Sequence, residues 1–303
     1  MSLGRRVVNA IRRRWRARVL AGWGEGRTWR RASPGFWMQL SRDDFDDVGF
    51  FFGGWDDAFV RDVPALVLPG ELAIDIGAQK GFFAMILARA VGRAGAVLAI
   101  EADPAALELL ASHRDRNGLG AIRIAAGAVG DREGEEIAFH LSDQVGWSSR
   151  FPNAMQAPHV RRALTLRTRT VDSVAAERLA DLTSPLSLVK IDVEGSEVRV
   201  LRGMRTLLRE HSPTLWMEVN HASLTAAGTS ADDLETLLQP FAYRFYLPDY
   251  EPTLFGGPRV WYTPVAHLRD VARAEFDIIA VAPAYAGRAR RMAEIVGAAA
   301  SSR

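Results

Sequence analysis

Four carboxylates close short apolar runs in this chain, and their placement is what chemistry would need. Asp75 ends the run Leu72, Ala73, Ile74. A turn with Gly77, Ala78 and Gly81 follows, then Phe82, Phe83, Ile86, Leu87 and Ala90 at helical spacing. An acid directly before such a turn repels a pyrophosphate and suits a ligand with a cationic amino group. The glycines stand as G-x-x-x-G, not the G-x-G-x-x-G of dinucleotide sites, which argues against a nicotinamide cofactor. Glu101 ends the next run, Ala96–Ile100, about 20 residues beyond the turn, where nucleotide-binding sheets hold ribose hydroxyls. A carboxylate there can accept from both hydroxyls of a vicinal diol. Asp192 and Glu194 follow Leu186–Ile191 ahead of Gly195. Glu218 lies in the run after Pro213, which continues to Asn220 and His221.

Groups so far apart in sequence meet only if a fold gathers them. The repeated order of strand, acid, glycine turn and helix predicts an open α/β sheet whose acids emerge along one carboxyl edge, the ligand edge of such sheets. Gly77 allows the tight turn, and Gly81 allows close packing of helix on strand. Further strands are expected at Ile122–Val129, Thr214–Val219, Tyr243–Leu247 and Asp277–Val281, with a short edge strand at Glu136–Leu141 and a brief one at Arg167–Thr170. Asp103-Pro104 is a good start for a helix that stops at Asn117-Gly118. A single helix is expected over Ser196–Arg209. Residues 142–163 have no clear period, and a loop of that length in a compact domain is usually functional. A Gly/Pro-rich excursion spans Asp249–Pro264, and Ala284–Ala298 reads as a closing helix.

The whole chain sets outer bounds. Its 303 residues, 48% hydrophobic and 24% charged, can bury a sizeable core. The chain has no cysteine, which excludes disulfides, thiolate metal sites and cysteine catalysis. No metal ligand set stands out. No run is long and apolar enough to span a membrane, and the start lacks the marks of a secretory signal, so a cytoplasmic location is expected. The net charge of +2 hides an asymmetry: residues 1–42 hold 11 Arg and one acid, leaving the remainder at −8. In that basic stretch Val7, Val8, Ile11, Trp15 and Val19 share one face. It fits a helix on an anionic surface, the inner membrane face rather than nucleic acid. It equally fits a peripheral helix packed on the domain or on a partner. Only two lysines occur, Lys80 and Lys190, one in each of the two strongest motifs.

Asp75-Ile76-Gly77-Ala78, Glu101 before Asp103-Pro104, Val171-Asp172-Ser173 and above all Lys190-Ile191-Asp192-Val193-Glu194-Gly195-Ser196-Glu197 resemble the FkbM-type methyltransferases. The resemblance runs from about Leu66 to Pro248 and departs from the family at Gln79-Lys80, where Asn is common. It implies a Rossmann-like class I methyltransferase fold, a seven-stranded and mostly parallel sheet flanked by helices. It places an Arg-rich extension at 1–60, the methyltransferase domain at 61–283 and a C-terminal helix at 284–303. The implied cofactor is S-adenosyl-L-methionine. Asp75 would sit near its amino end, Glu101 on its ribose and Asp131 near its adenine. The implied reaction is methylation of a hydroxyl oxygen on a sugar, glycan or natural product.

A hydroxyl has a high pKa, so its methylation needs a base or a metal. Asp192, Glu218 and His221 are the candidates at the correct sheet edge, with Asp192 expected nearest the reacting oxygen. The competing reading is a binding or scaffold protein with a methyltransferase-like domain and a basic surface-binding tail, without turnover.

Overall fold

The runs that read as apolar become strands because a sheet covered on both faces has no use for alternation. The computed structural model describes residues 14–53, 57–144, 146–251 and 259–283. The first half of the Arg-rich stretch and the expected closing helix Ala284–Ala298 lie outside them. In chain order, Thr28–Arg31 (β1) and Trp37–Leu40 (β2) form an antiparallel hairpin. Leu72–Ile76 (β3), Ala96–Glu101 (β4) and Ile122–Ala126 (β5) lie parallel and adjacent. Glu136–Ser142 (β6) pairs with Val160–Arg167 (β7) as a separate antiparallel ribbon. Leu186–Ile191 (β8) and Thr214–Asn220 (β9) extend the parallel sheet on the other side of β3. Arg244–Glu251 (β10), Arg259–Val265 (β11) and Glu275–Val281 (β12) complete it, in the order β5-β4-β3-β8-β9-β12-β10-β11.

Strand order reverses between β3 and β8: one half of the sheet grows away from β3 through β4 and β5, the other through β8 and β9. Open α/β sheets bind ligands at the carboxyl ends of strands at such a switch point. The sheet has one strand more than the expected seven. The eighth is β11, an antiparallel edge strand formed by the end of the Gly/Pro-rich excursion. The expected edge strand at Glu136–Leu141 forms, but in the separate ribbon. Its partner takes in residues 160–163, which show no period in sequence because most of β7 is exposed. The single helix expected over Ser196–Arg209 divides into Glu197–Arg202 and Arg205–His211. Gly203 lies at the break, so close to the Gly130 carbonyl that a Cβ would fall 2.1 Å from its oxygen.

Each face of the sheet carries its own apolar layer. Leu72, Ile74 and Ile76 of β3 face the cluster that holds Val174, Val198, Leu201 and Leu234. Ala73, Leu188 and Trp216 face the other, built from Phe59, Met85 and Leu87. Trp23, Met38, Leu40 and Phe50 of the N-terminal segment are buried in this second cluster. Phe50, on the helix Phe45–Phe52, stacks on Phe82 with centroids 4.0 Å apart. Such a pair adds about 0.5–1.5 kcal/mol beyond burial and fixes that helix beside the glycine turn. No helix among the described residues is long and apolar enough to cross a membrane.

Candidate active site

At the switch point the backbones of two strand ends almost touch. Gly77 has φ +78°, and a Cβ there would lie 1.7 Å from the Asp192 carbonyl oxygen. Only glycine lets β3 turn while β8 passes this closely. The Asp192 N–H donates to the Ile76 carbonyl at 3.0 Å, and the Gly77 and Ala78 N–H groups both donate to Ile100 at 3.0 Å. Three strand ends are thereby tied together under a cavity of about 920 Å³.

Glu101 forms one wall of this cavity. Its carboxylate accepts from the N–H groups of Gln79, Ala102 and Asp103, each at 2.7 Å. Burial pushes it up to about 7 despite these three donors. Gln79 adopts φ +50°, a left-handed conformation uncommon for residues other than glycine. Its side chain donates to Asp46 Oδ2 at 3.3 Å.

The N-terminal segment forms the wall above the turn. The Lys80 ammonium, fully buried, donates to Asp44 Oδ2 at 2.9 Å and to Asp47 Oδ1 at 2.6 Å. Arg27 adds a second cation to the same two carboxylates. Below, His113 Nδ1 bonds to the Lys80 carbonyl at 2.8 Å, while its Nε2 accepts from the Gln39 N–H at 2.8 Å. Accepting at Nε2 requires a neutral ring, and burial lowers this histidine to about 4.

Acids gather at the opposite end. Parallel register sets Lys190 beside Asp75, and the Lys190 ammonium donates to Asp192 Oδ2 at 2.8 Å. Burial raises the Asp192 carboxyl, but Lys190 and a hydrogen bond with Glu218 outweigh it and hold Asp192 below its ordinary range. Glu218 is raised well above its ordinary value by burial and by Asp192, Glu194, Glu275 and Asp277. The Asp192 and Glu218 carboxyls are hydrogen-bonded and shift in opposite directions, which favours the charge on Asp192 and the proton on Glu218. Glu194, at φ +51°, is raised to about 8 by burial and by Asp192 and Glu197, although Gln156 donates to it at 2.7 Å. Asp192, Glu194 and Glu218 bring one oxygen each within 4.8 Å of one another, a set that could hold a cation. Lys190 already supplies one positive charge there.

The structure thus brings Gly77, Ala78, Glu101, Asp192 and Glu218 to one cavity and keeps four sequence candidates, Asp75, Gly81, Asp131 and His221, outside its lining. Asp75 shares the helix-facing side of β3 with Ala73, and neither carboxylate oxygen has a hydrogen bond of good geometry. Burial raises it to about 6 against the pull of Lys190. Asp131 pairs with Arg199 at 3.4 Å and is not among the residues that line the cavity. His221 opens the helix after β9 and packs near Phe276, with centroids 5.8 Å apart. Gly81 serves packing: a Cβ there would meet Leu110 at 2.3 Å. Sequence reasoning missed Asp46, Asn153 and Gln156 as lining residues. The long aperiodic stretch 142–163 signalled the last two as a region, without naming them.

An open parallel sheet, a reversed β12 beside β9, and acids at the switch point define a Rossmann-like methyltransferase of class I. The chain belongs to the FkbM methyltransferase family, whose domain matches residues 75–245, more than half of its length. No curated protein matches it in sequence. Among solved structures it is similar to an FkbM methyltransferase from Methylobacillus flagellatus KT, with 20% identity and a TM-score of 0.40. That likeness covers 64% of this chain and 43% of the other, so this chain matches less than half of that protein's length. It is also similar to an O-methyltransferase from Bacillus cereus in complex with SAH, with 13% identity and a TM-score of 0.39 over 75% and 79% of the chains. TomG from Streptomyces achromogenes, an O-methyltransferase involved in tomaymycin synthesis, gives 12% identity and a TM-score of 0.38 over 75% and 78%.

Proposed function

We propose that the protein transfers a methyl group from S-adenosylmethionine to a hydroxyl oxygen of a sugar, glycan or natural product. The observation that carries this reading is the buried Glu101 carboxylate in the wall of a cavity that holds an acid cluster at its other end. A volume of about 920 Å³ lies near the upper end for small-molecule pockets and suits a nucleoside cofactor with an acceptor beside it. Glu101 is held in place by three N–H donors, and the lone pair left on Oε2 can accept from a ribose hydroxyl. Ile100, Ala128 and Val129 line the same side and offer an apolar surface to a purine.

When bound, S-adenosylmethionine supplies a methyl on a positive sulfonium; the acceptor oxygen bonds to it as the carbon–sulfur bond breaks and its electrons return to sulfur. The chain's own residues do the rest. The Gly77–Gln79 turn and Glu101 fix one reactant, and the cavity excludes the freedom of the other, so positioning supplies most of the rate. Asp192, kept ionised by Lys190, accepts the hydroxyl proton as the oxygen becomes acidic. Glu194, raised to about 8, and Glu218, raised well above its ordinary value, can in their protonated forms donate hydrogen bonds to other acceptor hydroxyls.

The test is transfer of labelled methyl from S-adenosylmethionine to a panel of sugars, glycans and phenolic natural products. Label should appear in an oxygen-linked methyl product together with an equal amount of S-adenosylhomocysteine. Label found only on nitrogen or carbon would overturn the hydroxyl assignment.

A further inference from the structure

The cofactor reading needs a carboxylate for a cationic amino group, and Asp75, the acid the glycine motif offers, is not available for it. Its side chain lies outside the cavity lining, on the helix-facing side of the sheet beside Lys190. Three acids from the N-terminal segment stand near the turn instead. Asp44 and Asp47 are committed to Lys80 and Arg27. Asp44 Oδ1 also accepts from the Asp46 and Asp47 N–H groups at 3.1 and 3.2 Å, which fixes the start of the helix Phe45–Phe52. Asp46 has no ion pair among the described residues. It lines the cavity, and its Oδ2 lies 3.3 Å from the Gln79 side chain.

We propose that Asp46 is a cofactor-binding residue that receives the ammonium of an α-amino-acid group in the cavity, the methionine end of S-adenosylmethionine. The inference rests on the cofactor reading above and assigns one end of that ligand to a residue outside the FkbM domain match. Lys80 explains why a residue 33 positions before Gln79 arrives there. Its buried ammonium draws Asp44 and Asp47 onto the glycine turn, and the first turn of their helix then delivers Asp46 to the cavity. A ligand ammonium against Asp46 would leave the ribose to Glu101, which stands on the far side of Gln79 and accepts from its N–H. The N-terminal segment is in this account part of the cofactor site, not an appendage.

The experiment compares two ligands on wild type and Asp46→Asn. S-adenosylhomocysteine carries the amino-acid group; 5′-methylthioadenosine carries only the nucleoside and thioether. Asp46→Asn keeps the side-chain shape and removes the charge. It should weaken S-adenosylhomocysteine by about 10- to 100-fold, the range for a hydrogen bond to a charged group. It should leave 5′-methylthioadenosine within about twofold. Equal loss of both ligands, or no loss of either, would overturn the assignment. Wild type that binds neither ligand would overturn the cofactor reading itself, and the assignment with it. A thermal melt of each variant separates these outcomes from unfolding.

Discussion

The chain's two lysines stand on either side of the switch point, Lys80 in the first glycine turn and Lys190 near the end of β8, and they solve different problems. Lys80 is fully buried, and its partners Asp44 and Asp47 are almost equally so. Both come from far upstream in sequence. Lys190 is also buried, but its partner Asp192 is two residues away and its side chain is 34% exposed, facing the cavity. The first lysine spends its charge on architecture: it ties an N-terminal segment to the glycine turn under the cavity. The second sets acidity, holding Asp192 below its ordinary range while Glu218 and Glu194 are raised above theirs. The same residue type thus fixes geometry at one end of the cavity and lowers the Asp192 carboxyl at the other.

This contrast breaks most visibly under substitution of the lysines. Lys80→Met leaves two buried carboxylates short of a cation, and breaking a buried pair in this way costs about 3–5 kcal/mol. Denaturant unfolding should show that loss. Lys190→Met should cost less, about 1–3 kcal/mol, because water can reach Asp192. Equal losses would mean the two lysines do the same job.

At the acidic end, Asp192→Asn keeps the shape and removes the base. It should lower kcat by about 10²-fold or more while S-adenosylmethionine still binds. His221→Ala should leave kcat within about twofold, since the ring is outside the cavity lining. Reversed outcomes in steady-state kinetics would move the proton transfer from Asp192 to His221.

The smallest effect is in pH. Burial raises Glu101 to about 7 and Asp46 to about 6, and a ligand that needs their charged forms binds best when they are ionised. Affinity for S-adenosylhomocysteine is then full above pH 7 and is lost as pH falls through 7 and 6. Titration at pH 8 and pH 6 should differ by about tenfold. A flat profile would mean that neither carboxylate bears charge in the complex.

How much of this was legible in the sequence follows the same division. The Lys190 end is local. Lys190, Asp192 and Glu194 lie within five residues, so one motif announced the acid, the turn and the helix. The Lys80 end is not local, because no pattern in sequence pairs Lys80 with an acidic run 33 to 36 positions earlier. The sheet's parallel core was readable from its apolar runs. The strand β7 was not, since its exposed side chains break the alternation. Asp75 shows the limit of reading strand ends: its place next to Ile76 fixes the turn, but alternation points Ile76 into the cavity and Asp75 away. His221 was close in sequence to β9 yet turned out by the helix that Asn220 caps through the Ala222 and Ser223 N–H groups.

The central claim is that Glu101 holds the ribose of S-adenosylmethionine in this cavity. Calorimetric titration of S-adenosylmethionine into wild type and a folded Glu101→Ala variant tests it most directly. The account predicts binding to wild type and a loss of about 1–3 kcal/mol in the variant, as a hydrogen bond to a charged group disappears. Unchanged affinity in the folded variant would contradict it.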